Sequence, residues 1–170
     1  MASKKKYIIT SLTLGAIAAA SAALIGVTNL VTYKQIQINE QNKINKGIAS
    51  IFGDGVTVKE EADLNTYKYV NHYYSLDEGK MAFRTSGSNM YGKITLLVGF
   101  NNNKFVKLYV ITNEQTYAST LVDNYINPLN DSESDVDIDD VSCGATYGAK
   151  LVRDMINEAE QASLDLKEGK

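Results

Sequence analysis

The chain has one cysteine, one proline, one histidine and no tryptophan. A single Cys143 excludes an internal disulfide, and together with the lone His72 it excludes a conventional Cys/His zinc cluster. Acidic residues are missing from residues 1–33, where the only charges are Lys4, Lys5 and Lys6. With three of the seventeen basic side chains placed there, residues 34–170 hold fourteen basic and all twenty acidic side chains, a net of −6. That balance lacks the basic footprint of a general nucleic-acid binder, so no nucleic acid is expected as a partner. A length of 170 residues leaves room for one modest domain plus an appendage.

What is present begins with an uncharged run over residues 7–33, behind the basic head. As a helix it spans about 40 Å, enough to cross a hydrocarbon core of about 30 Å. Gly15, Gly26 and the small Ala and Ser residues are tolerated in membrane helices. The lysines favour a cytoplasmic N-terminus, which places the C-terminal portion outside the cytoplasm. Two alternatives stay open: a cleaved signal peptide, with cleavage-like Ala18-Ala19-Ala20 and Ala20-Ser21-Ala22, and a buried helix of a soluble protein. No cysteine directly follows the run, which excludes a lipoprotein anchor.

Residues 34–46 are polar and predict a helical stalk. Ile48, Ile51 and Phe52 form a small apolar cluster before a turn at Gly53-Asp54-Gly55. Residues 67–74 predict a strand, followed by a turn at 77–80 and a return strand over 81–84. Ser86-Gly87-Ser88-Asn89 reads as a flexible break. Residues 93–100 and 105–112, joined by Asn101-Asn102-Asn103, carry the strongest strand pattern and predict an antiparallel hairpin. A short helix is expected over 116–125, with Leu121, Val122 and Tyr125 facing inward and Pro128 stopping it. The acidic stretch Asp131, Glu133, Asp135, Asp137, Asp139 and Asp140 lacks the central Gly and terminal Glu of an EF-hand loop. It reads instead as a solvated loop with Val136, Ile138 and Val141 as inward strand positions. A final helix starts near Thr146 with the apolar stripe Leu151, Val152, Met155, Ile156 and Ala159, and its polar tail frays from residue 158.

The segment that carries chemistry is Asp140-Val141-Ser142-Cys143-Gly144-Ala145-Thr146. Two small residues leave a threonine with little steric cover where a helix begins. A helix N-terminus offers unpaired N–H groups and a favourable field for phosphate. The plainer alternative is that Thr146 or Ser142 caps the helix.

The segment resembles the flavinylation motif of the FMN-binding domain family, as in the G subunit of the Rnf ion-translocating oxidoreductase and the C subunit of the sodium-translocating NADH:quinone oxidoreductase. The family pattern is Asp, two variable residues, Ser or Thr, Gly, Ala, Thr. The resemblance extends over about residues 67–159 and includes Tyr91-Gly92-Lys93, the hairpin behind it, and the helix bearing Ala149 and Ala159. Cys143 stands where the family has Ser or Thr. Gln115-Thr116-Tyr117-Ala118 stands where the family often has Glu-Thr-Pro-Gly, with only Thr116 matching.

The resemblance implies covalent FMN, joined as a phosphoester to Thr146 by a separate FAD:protein FMN transferase. It implies that Asp140 supports the turn or the transferase's recognition, and that Gly144 and Ala145 leave room. Tyr91, Tyr117 and Tyr147 are candidates for contact with the flavin ring, whereas His72 reads as structural. The expected architecture is α+β: a basic head and transmembrane anchor (1–33), a stalk (34–60), a small antiparallel-sheet FMN-binding domain with a C-terminal helix (61–165), and a polar tail (166–170). The expected function is that of a membrane-anchored extracytoplasmic electron carrier whose partners are membrane electron-transfer subunits. The alternative is a membrane-anchored binding or adhesion module without a cofactor. Whether the chain counts as an enzyme is left open.

Overall fold

The structure, a computed structural model, describes residues 2–131 and 140–168. The chain divides into two compact units, Met1–Asn42 and Lys43–Lys170. Helix α1, Ala2–Phe52, supplies all the described structure of the first. The apolar residues over 7–42, among them Leu12, Leu14, Leu24, Ile25 and Leu30, are all exposed. The helix is long and apolar enough to cross a membrane. Thr13 and Thr28 donate their hydroxyls to the carbonyls of Ile9 and Leu24, both at 2.8 Å. These two hydroxyls are thereby met inside the helix, which suits a hydrocarbon surround.

The second unit is α+β. Five antiparallel strands form a meander in the order β1 to β5: Val58–Asp63, Val70–Leu76, Lys80–Asn89, Gly92–Asn101 and Lys104–Asn113. Two short helices follow, α2 (Ala118–Leu121) and α3 (Asn127–Asp131), and the chain's last element is α4, Thr146–Glu168. One apolar cluster joins Phe83, Ile94, Leu96 and Val98 of the sheet to Val152, Met155, Ile156 and Ala159 of α4. The other joins Tyr74, Leu76, Ala82 and Leu97 to Ile44, Ile48 and Ile51 at the end of α1. Covering both faces explains why β4 is apolar almost without interruption: every residue from Ile94 to Phe100 is buried.

Several expectations need correction. The compact unit begins at Lys43, inside the stretch read as stalk, because Ile44 and Ile48 are already core residues. Residues 58–63 form an edge strand, with Ala62 opposite Tyr73 and Asp63 opposite His72. Ser86-Gly87-Ser88-Asn89 is not a break. It completes β3, pairing with Thr95, Ile94, Lys93 and Gly92 in turn. Smallness is demanded there by α4: a Cβ on Gly87 would sit 2.8 Å from Leu151 Cδ1 and 3.2 Å from Met155 Sδ.

Pro128 does not stop the helical segment. It is the second residue of α3, behind a wide π turn at Val122–Ile126. In that turn the Asn127 N–H donates to Val122 O, five residues back. The widened turn removes the α-helical bond that a proline at 128 could not make. Val141 is not in a strand, though it packs on the core. Val136 and Ile138 lie outside the described residues, as do the acids Glu133, Asp135, Asp137 and Asp139. Helix α4 starts at Thr146 as expected but continues to Glu168, with Ala162 and Ser163 fully buried in the stretch read as frayed.

Candidate functional site

A cleft of about 250 Å³ opens where three turns meet: the β3–β4 turn, the segment after β5, and the start of α4. Each turn contributes one tyrosine. Tyr91 sits on the β3–β4 turn, and hydrogen bonds on both sides hold it. Its N–H donates to Asn89 Oδ1 at 2.8 Å. Its carbonyl accepts from the Thr116 N–H at 2.8 Å and from the Thr116 hydroxyl at 3.1 Å. Asn89 also donates through Nδ2 to the Tyr147 carbonyl at 3.1 Å, tying the hairpin to α4. The Tyr91 ring lies between the other two, 5.8 Å from Tyr117 and 5.6 Å from Tyr147. Tyr117 and Tyr147 are 53% and 62% exposed, unusual for large rings outside a binding surface.

The opposite side of the cleft is the entry to α4. Gly144 has φ +80°, a conformation open to glycine and strained for most other residues. Ala145 is buried, and its carbonyl accepts the first helical bond, from Ala149 N–H at 3.0 Å. Ala145 therefore occupies the cap position. This corrects the capping alternative, since neither the Ser142 nor the Thr146 hydroxyl accepts from a backbone N–H of the described residues. Alanine is a poor cap and leaves the first N–H groups of the helix without a side-chain acceptor. Thr146 itself is exposed, and its hydroxyl makes no hydrogen bond to a described residue. The first turn of α4 carries no acid, so no side chain of that turn offsets the positive end of a 23-residue helix.

Of the seven residues singled out from the sequence, Tyr91, Tyr117, Gly144, Ala145, Thr146 and Tyr147 all line this cleft. Asp140 does not. It is exposed and accepts the Ser142 N–H through Oδ1 at 2.9 Å, which braces the turn leading to Gly144. Cys143 is half-buried against the core, and its carbonyl accepts from Asn124 Nδ2 at 3.1 Å. His72 belongs to the β1–β2 pair, where Nδ1 lies 2.7 Å from Asp63 Oδ1. No group of three or more metal-ligating side chains occurs among the described residues.

The residue reading missed Gln115, Leu121 and Gly148, which complete the lining. Leu121 was placed only as an inward helix position. Gln115 carried a signal, standing first in Gln115-Thr116-Tyr117-Ala118, the stretch set against the family's Glu-Thr-Pro-Gly. Set against models of known protein families and against curated proteins, the chain matches none.

Proposed function

We propose that this chain is a membrane-anchored, extracytoplasmic electron-transfer flavoprotein that carries FMN joined through its phosphate to the Thr146 hydroxyl. The observation that carries the reading is the cleft itself. It gathers six residues, picked out by a resemblance in sequence, from three separate turns into one lining.

The lining fits such a group at both ends. An exposed hydroxyl with no partner among the described residues suits a phosphoester at the start of a long helix, whose first N–H groups can stabilise the remaining phosphate oxygens. Tyr91 with two further tyrosine rings within 6 Å of it suits a flat aromatic ring. The cleft is smaller than the roughly 300–1,000 Å³ of enclosed ligand pockets, so part of a bound flavin stays accessible to a redox partner. The cysteine in the motif is compatible, because Cys143 packs on the core and does not line the cleft.

Attachment proceeds once, in maturation. The FAD pyrophosphate bond breaks, AMP leaves, the Thr146 oxygen loses its proton, and a phosphoester forms with the FMN phosphate. When bound, the flavin supplies the redox chemistry, and the chain supplies position and a tether. Asp140 braces the turn, Gly144 and Ala145 keep the approach to Thr146 open, and the tyrosines flank the ring. Helix α1, with Lys4, Lys5 and Lys6 on the cytoplasmic side, holds the domain outside, near membrane electron-transfer subunits. The covalent bond prevents loss of the cofactor there.

Co-expression with an FAD:protein FMN transferase tests the reading. One FMN less one water adds about 440 Da to the intact mass. The Thr146→Ala protein is expected to lack both that mass and a yellow colour that survives denaturation. An unmodified wild-type chain, or a Thr146→Ala chain that stays yellow, overturns it.

A further inference from the structure

Gln115 is only 7% exposed, yet it lines the cleft. Its Nε2 donates to the Gly92 carbonyl. That carbonyl can only accept, so the orientation of the carboxamide is settled by its partner: nitrogen toward Gly92, oxygen away. Its Oε1 lies 3.5 Å from the place a Cβ would take on Gly148, in the first turn of α4. No described residue donates to Oε1. The backbone of Gln115 is pinned as well, its N–H donating to Asn113 Oδ1 at 3.1 Å and its carbonyl accepting from Ala118 N–H. The cleft thus contains a rigidly held side-chain acceptor to which no described residue donates. Its nitrogen is committed to Gly92, so the oxygen is the end of the carboxamide left to receive a donor from a molecule in the cleft.

We infer that Gln115 Oε1 is the specificity-determining acceptor of the cleft, receiving a hydrogen bond from a ring N–H of the planar heterocycle held there. This rests on the flavin reading above and deepens it. An isoalloxazine offers a single ring N–H in its oxidised form, the imide at N3, so Gln115 orients the ring by its pyrimidine edge. The tyrosines supply area and no direction; the carboxamide supplies direction.

The test uses the full-length Thr146→Ala chain, which cannot be flavinylated, titrated with lumiflavin and with 3-methyl-lumiflavin. The analogue differs only in lacking the N3 proton. Binding is read from quenching of flavin fluorescence. The expected result is saturable lumiflavin binding, weakened about tenfold by N3-methylation, in line with the ~1–1.5 kcal/mol of one such bond. Adding Gln115→Met should weaken lumiflavin and bring the two ligands to equal affinity. Equal affinity of both ligands for the parent chain overturns the inference, as does absence of saturable binding. So does a Gln115→Met chain that keeps the tenfold preference. The parent comparison needs no change at Gln115 and stands even where that variant folds poorly. Intact mass of the co-expressed wild type separates the two failures. FMN attached without N3 discrimination rejects Gln115 alone, whereas no attachment rejects the flavoprotein reading and this inference with it.

Discussion

Gly92 stands where β3 turns into β4, with φ +131°. A Cβ there would lie 2.1 Å from the Glu114 carbonyl oxygen, 2.8 Å from its carbon and 3.2 Å from Gln115 Cα. All three are backbone atoms, so no side-chain rotation relieves the clash. Gly92→Ala must push the 114–115 segment outward by about 1 Å. The backbone strain at that φ costs about 1–3 kcal/mol and the overpacking a similar amount. The bond from Glu114 N–H to Lys93 O, now 2.8 Å, weakens for about 1 kcal/mol more. Reduced freedom of the unfolded chain returns about 0.5–1 kcal/mol. The net loss is about 2–6 kcal/mol, which lowers Tm by roughly 6–30 °C for a unit of this size. Near-UV circular dichroism of the full chain in detergent reads it cleanly. There is no tryptophan, and of eleven tyrosines only Tyr7 and Tyr33 lie in the first unit. Gly15→Ala is the matched control, since a Cβ there meets nothing within 4 Å. A Gly92→Ala chain melting within about 3 °C of wild type would refute the close approach of β4 and the 114–115 segment.

Two further outcomes are expected. Glu158 of α4 clasps the strand entry, accepting the Lys68 N–H at 2.7 Å on Oε1 and the Tyr69 N–H at 2.5 Å on Oε2. Glu158→Gln leaves one of those donors facing an NH₂ group and should cost about 1–2 kcal/mol, a fall of roughly 0.5–1 M in the urea midpoint with unchanged slope. An unmoved midpoint counts against the clasp. Burial, then the 2.7 Å hydrogen bond to Asp165, pushes the Tyr67 hydroxyl up to about 12. Above pH 10 the unfolded chain releases this proton while the folded chain keeps it, so stability should fall between about pH 10 and 12. Tyr67→Phe should flatten that part of the profile in denaturant titrations; an identical slope in both proteins contradicts the assignment.

The β4–β5 hairpin and α4 were legible because their patterns are local. Ile94–Phe100 is apolar except for Thr95, the paired Asn102 and Asn103 adopt φ +51° and +64° as a tight turn requires, and the α4 stripe repeats at helical spacing. The edge strand β1 was not legible. Its Lys59, Glu60 and Glu61 are exposed and charged, which suits an edge and hides a strand. Ser86–Asn89 misled for the opposite reason: residues that look like a loop in isolation are small because α4 presses on them.

The composition by itself determined that residues 7–33 are a charge-free run long enough, as a helix, to cross a membrane. It also placed a threonine behind two small residues at the start of α4. Only the tertiary structure decided that Tyr91, Tyr117 and Tyr147 share a cleft with that threonine, and that Gln115 Oε1 lies against Gly148 in the first turn of the same helix. Those residues sit on three separate turns whose spacing along the chain carries no signal. What brings them together is the packing of α4 across the sheet and the hydrogen bonds of Asn89 and Thr116, which join one turn to the next.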